Sequence, residues 1–275
     1  MNRGKAFIVH RALLIALVAL CCARSPVIPS HPTRVVSLAP NVTEVIFADG
    51  CGGKVVGTDD FSDYPEAVQH LPKVGGVEPD VQKIAALRPD LVLASASNAH
   101  PNLRRALAAA RLPLLVVRTD RLADVAASEG VVGRALGCPQ TASAVSSIRA
   151  ALQAQRRTRA AAPRVLFVVW TDPLYVAGGA TFIDDLFALA GARNAVSANG
   201  WPQESLETLA AHPPDLILYP NRSVTRAAID DLLGRAHVRV ESIAVDENVF
   251  ARPGPRVALA AAEINRILDS WERSH

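Results

Sequence analysis

Two stretches of the chain carry one pattern of apolar and polar positions. Val81 to Ala94 (VQKIAALRPDLVLA) and Leu206 to Tyr219 (LETLAAHPPDLILY) each read as a short amphipathic helix, a proline break at Pro89 or Pro213, an aspartate and an unbroken apolar run. Proline lacks an amide hydrogen and ends the helix, and the apolar run behind it predicts a buried parallel strand. A similar unit precedes each copy. Arg34 to Ala39 (RVVSLA) predicts a strand, Asn41 and Glu44 stand at capping-box spacing, and Gly50 stops the helix that follows. Arg164 to Val169 (RVLFVV) repeats the strand, with Thr181 and Asp184 opening a helix that Gly191 closes. Downstream, strands at Leu114 to Val117 and Val238 to Ala244 precede helices at Leu122 to Leu136 and Val257 to Trp271.

Both halves alternate β and α, which predicts an α/β fold of two lobes, each with a parallel sheet flanked by helices. Between them, residues 140–161 are alanine-rich, contain neither proline nor glycine, and end in Arg156, Arg157 and Arg159. Such composition predicts a single long rigid helix joining the lobes rather than a flexible linker. The expected organisation is a leader at 1–23, a first lobe at 32–139, the connecting helix at 140–161 and a second lobe at 162–275.

The leader changes the charge picture. Arg3, Lys5 and Arg11 precede an uncharged run from Ala12 to Ala23, a signal-peptide layout too short for the roughly 20 apolar residues of a bilayer span. Export is expected, either with lipid on Cys21 or Cys22 or with ordinary cleavage after Ala23; the bulky Leu20 before the cysteines favours the second. The net charge of +3 is matched by those three leader residues, so the mature body is neutral. Nucleic acid and anionic membrane bind mainly through clustered Lys and Arg, and neither suits a neutral body. Cys51 and Cys138 are the two cysteines of the mature body, too few for a zinc site, and read as a structural disulfide or as two inert thiols.

In open parallel sheets a ligand lies beyond the carboxyl ends of the strands. The residues there include Pro40, Asn41, the loop from Thr58 to Pro65, Ser95, Trp170, Trp201 and Arg252. Aromatics make up only 5% of the chain, yet Phe61, Tyr64, Trp170 and Trp201 all fall in these loops, as rings that wall a ligand would. Asp59, Asp60, Asp63 and Glu66 surround the first pair, and Arg222 and Arg252 are the chief cations near the crevice, so a large, planar, weakly charged ligand suits better than a strongly anionic one.

Through RVVSLAPNVTE at Arg34 to Glu44, FSDYP at Phe61 to Pro65, WPQ at Trp201 to Gln203 and FARPGPR at Phe250 to Arg256, the chain resembles the helical-backbone class of periplasmic binding proteins, and within it the cobalamin binders. The resemblance implies a monomeric periplasmic substrate-binding protein of an ABC importer, with cobalamin or a related corrinoid as transported ligand and no cofactor. It implies a ligand-stacking role for Phe61 and cleft-wall roles for Trp170 and Trp201. It also implies docking on a membrane permease dimer through one acid per lobe, at Glu207 in the second lobe; the matching first-lobe position is Gln82, leaving Glu78 or Asp80 to substitute.

Haem or an iron siderophore is the alternative within the class, with Tyr64, Tyr175 or Tyr219 as candidate iron ligands. An α/β enzyme is the alternative outside it. The chain has no G-x-S-x-G elbow or dinucleotide fingerprint, and its histidines are scattered without metal-ligand spacing.

Overall fold

The computed structural model describes residues 27–274; the leader with Cys21 and Cys22 lies outside the described residues. The first sheet takes β1 (Val35–Ser37), β2 (Val55–Thr58), β3 (Leu91–Ser95) and β4 (Leu114–Val117), all parallel, in the order β2-β1-β3-β4. The second holds β5 (Arg164–Thr171), β6 (Leu174–Val176), β8 (Leu216–Pro220) and β9 (Glu241–Val245) in the order β6-β5-β8-β9, with the short β7 (Arg193–Asn194) also pairing β5. Only β6 runs antiparallel to its neighbour.

The helices are α1 (Pro40–Ala48), α2 (Val81–Ala86), α3 (Pro101–Ala109), α4 (Leu122–Leu136), α5 (Thr141–Ala154), α6 (Phe182–Leu189), α7 (Leu206–Ala211), α8 (Arg226–Ala236), α9 (Glu247–Phe250) and α10 (Val257–Ser274). Alternate strand residues feed opposite cores. Val35, Leu91 and Leu93 pack with α1 and α4, whereas Val36, Val92 and Ala94 pack with α2 and α3. In the second sheet Val165, Phe167, Leu216 and Leu218 face α6 and α10, and Leu166, Val168 and Ile217 face α7 and α8. Both faces are therefore dry, which is why the strands read as unbroken apolar runs.

The duplication extends to hydrogen bonds. Asp90, just before β3, accepts from the amides of Thr33 and Arg34 at 2.7 and 3.1 Å, and Asp215, before β8, accepts from the Arg164 amide at 2.7 Å. Each arginine in turn donates to a carbonyl between the helix and the strand: Arg34 to Leu87, at the helix end, at 2.7 Å and Arg164 to Pro213, just past it, at 3.1 Å. Asp80 and Ser205 cap the equivalent helices α2 and α7.

The connecting element differs from expectation. Helix runs from Thr141 to Ala154, not over 140–161. Beyond it the chain is held by the second lobe: the Arg157 amide donates to the Leu189 carbonyl at 2.9 Å, and the Arg159 side chain, 4% exposed, pairs with Asp269 and Glu272 at 2.8 Å. These contacts outweigh helix propensity. The helix is also no free-standing strut, since Ile148 and Leu152 of α5, with Val125 and Ala126 of α4, sit in the same core as β5, α6 and α10. The α4–α5 hairpin thus braces one sheet against the other. Cys51 and Cys138 are bonded, with Cα atoms 5.5 Å apart, tying the end of α1 to the end of α4.

Candidate functional site

A cleft lies beyond the carboxyl ends of both sheets and consists of two adjoining cavities. One, of about 390 Å³, is floored by Phe167, Phe182 and Phe250 and flanked by Trp201, Thr119 and Asp120. The other, of about 470 Å³, is bounded by Pro40, Phe61, Asp63, Arg222 and Arg252. Glu247 and Ala251 line both, so the cavities meet along α9. Each lies within the 300–1,000 Å³ range usual for small-molecule sites.

The aromatic wall is built by the second lobe. Phe167 on β5 stacks on Phe250 at 5.9 Å between ring centroids, and Phe182, at the start of α6, meets Trp201 at 6.1 Å. The phenylalanines are buried, while 47% of Trp201 remains exposed. Phe61, 52% exposed, lines the adjoining cavity from the first lobe. Its loop is set from below: the buried Asp59 carboxylate accepts from the Phe61 amide at 3.2 Å and from the Ser62 hydroxyl, and Ser62 pairs with Thr43 at 2.8 Å. Gly76 lies beneath the ring, where a Cβ would come within 3.1 Å of it.

Several expected ligand contacts have other partners. Asn41 is not in a capping box; α1 begins without a side-chain cap, and the Asn41 amide donates to Thr119 at 3.2 Å and to the Pro253 carbonyl at 3.4 Å. Its expected partner Glu44 instead receives both ends of the Arg256 guanidinium, at 2.8 and 2.6 Å. Tyr64 lies under that guanidinium, 4.2 Å from ring centroid to Cζ. Ser95 is buried and organises its own turn through Ser97 and Asn98. Trp170 follows a register shift in β5 that pairs it with Tyr175; both rings are largely exposed, and the Trp170 indole donates to the Asp172 carbonyl at 2.9 Å. It lines neither cavity. Pro40, Phe61, Trp201 and Arg252 do. Phe167 and Phe182 escape sequence reading because they occupy positions that apolar periodicity assigns to the core; Phe250 opens the FARPGPR motif without standing out as a ligand contact.

The cleft is acidic. Asp60, Asp63, Asp120 and Glu247 line it against Arg222 and Arg252. Arg252 donates to Asp63 at 2.5 Å, which holds that carboxyl below its ordinary pKa, and Arg222 donates to Asn248 at 2.9 Å. No histidine, tyrosine, cysteine or methionine is among the described lining residues. Glu207 and Gln82 both sit exposed in the first turns of α7 and α2 and line neither cavity. The Glu207 carboxyl is held below its ordinary pKa by its own backbone amide and by Ser205.

Comparison with known proteins places this geometry. Residues 35–244 match the family model described as periplasmic binding protein. The vitamin B12-binding protein of Pectobacterium carotovorum is 31% identical over 241 residues, covering 85% of this chain and 87% of the relative. The solved periplasmic heme-binding protein BhuT, in complex with two hemes, is 30% identical at a TM-score of 0.74, over 86% of this chain and 98% of that one. The periplasmic vitamin B12-binding protein BtuF of Vibrio cholerae shares the fold at a TM-score of 0.74 and 24% identity, over 89% of this chain and 99% of that one. A cleft between two α/β lobes, walled in part by rings, agrees with these matches: the chain belongs to the periplasmic binding protein family.

Proposed function

We propose that the protein, exported to the periplasm, binds cobalamin or a related corrinoid in the interlobe cleft and delivers it to the permease dimer of an ABC importer. The observation that carries this reading is the lining itself: exposed Phe61 and Trp201, one in each of the adjoining cavities and both among carboxylates, with no iron-ligating side chain among the described lining residues and both lining arginines already engaged. Haem needs an axial ligand such as histidine, tyrosine, methionine or cysteine, and its two carboxylates would meet an excess of acid here. A corrinoid carries its own cobalt ligation and neutral amide arms, which suit aromatic planes and carboxylate acceptors. The curated relative that supports this is named a vitamin B12-binding protein.

A second reading, haem binding, is favoured by one observation, the 30% identity to a heme-binding protein of known structure. Tryptophan fluorescence separates the two. Cyanocobalamin should quench Trp201 saturably and ferric siderophores should not; saturable quenching by haem with none by cyanocobalamin would reverse the assignment. Glu207 supplies the second-lobe docking charge, and Glu78 supplies the first, because the Asp80 carboxylate is occupied capping α2.

A further inference from the structure

RVVSLAPNVTE and FARPGPR stand near opposite ends of the mature chain, and their last residues are partners. The Glu44 side chain, 2% exposed, takes both N–H arms of Arg256, and Arg252 stands 3.6 Å from the same carboxylate. Arg256 also donates to the Asn248 carbonyl at 3.2 Å and covers the Tyr64 ring, while Arg252 donates to Asp63 at 2.5 Å and to the Phe61 carbonyl at 3.1 Å. Between the two arginines the Pro253 carbonyl accepts from Asn41, and Gly254 lies so close to α1 that a Cβ would come within 3.3 Å of the Asn41 carbonyl oxygen.

Apart from the Arg256–Asn248 hydrogen bond, each of these contacts joins the second lobe to the first, and three of them hold the loop from Phe61 to Tyr64. A carboxylate this deeply buried cannot lose its cations cheaply, because water does not replace them. Separation of the lobes along this edge therefore exposes or orphans Glu44. We infer that Glu44, Arg252 and Arg256 form an interlobe clasp that sets the separation of the lobes and positions the Phe61 wall against the ligand. These are positioning residues: Glu44 and Arg256 line neither cavity and act through the loop from Phe61 to Tyr64.

The inference rests on the corrinoid reading only for its ligand arm. Spin labels at Val77→Cys and Ala227→Cys, exposed sites on opposite lobes, report the lobe separation without ligand. The parent should give one narrow distance distribution. Glu44→Gln should broaden or shift it and should speed cyanocobalamin dissociation, followed by stopped-flow fluorescence, about tenfold. Arg256→Lys keeps the charge but loses the two-armed contact and should change both readouts in the same direction by less. Parent-like distances and dissociation rates in both variants overturn the clasp even if their thermal stability falls, since a merely structural ion pair would do only that. Should Glu44→Gln not fold, Arg256→Lys decides alone by the same two readouts.

Discussion

Replacing Glu129 with glutamine should stabilise the protein at neutral and alkaline pH while leaving acid stability nearly unchanged. Glu129 on α4 is fully buried beside Asp49 at the end of α1, and neither carboxylate oxygen of Glu129 has a hydrogen-bond donor among the described residues. Thr141 donates to Asp49 at 2.9 Å, and Gly133 leaves the room for that contact, since a Cβ there would collide with both. Burial first, and then the Asp49 charge, push the Glu129 carboxyl from 4.5 up to about 8. A raised acid binds its proton more tightly folded than unfolded. Its contribution is fully favourable below pH 4.5 and is lost as pH rises from 4.5 to about 8. At about 1.4 kcal/mol per pH unit, the raised pKa costs about 3 kcal/mol at pH 7, where Glu129 stays protonated, and about 5 kcal/mol well above pH 8, where its buried carboxylate is ionised. Glutamine is isosteric, never ionises, and can donate to Asp49. Urea denaturation of parent and Glu129→Gln from pH 4.5 to 8.5 reads the difference for the Glu129–Asp49 pair, with the titrating groups elsewhere cancelling. A difference that grows in favour of the variant by several kcal/mol is expected. A flat difference, or a variant less stable at every pH, would refute the reasoning.

Trp201→Ala should weaken corrinoid binding by about 2 kcal/mol, roughly thirtyfold in Kd by equilibrium dialysis, because about half of the indole is available to be covered by ligand. Glu207→Ala should leave that Kd unchanged and lower permease-stimulated uptake in proteoliposomes; uptake equal to the parent's would remove Glu207 from the docking surface. Removing the bond between Cys51 and Cys138, which are 87 residues apart, with a Cys51→Ala and Cys138→Ala pair should cost about 4.6 kcal/mol in urea denaturation, as loop-closure entropy predicts.

Much of the architecture is legible in the residues. The repeated helix, proline, aspartate and apolar run announces both sheets, and the same repeat marks the Arg34–Asp90 and Arg164–Asp215 clasps at the strand starts. What escapes sequence reading is set by long-range partners. Alanine-rich composition continues past Ala154, yet the second lobe takes hold of Arg157 and Arg159 and ends the helix. Asn41 and Glu44 have capping-box spacing, but their partners are distant in sequence: Thr119 at separation 78 and Pro253 at 212 for Asn41, and Arg256 at 212 for Glu44. The last strand starts at Glu241 rather than Val238, because the chain from His237 first turns through a left-handed residue and its Val238 amide bonds back to Leu233. In the cleft, loop aromatics were visible as candidates, whereas Phe167, Phe182 and Phe250 look like core residues and are core residues, one face of which the cleft happens to bare.

The central claim is that the cleft between the lobes holds one corrinoid against Phe61 and Trp201. Calorimetric titration of the mature protein with cyanocobalamin and haem side by side tests it most directly. A single saturable site for cyanocobalamin, weakened in the Phe61→Ala and Trp201→Ala variants, with no saturable uptake of haem, is the expected result. Uptake of one or two haems with no heat from cyanocobalamin would contradict it.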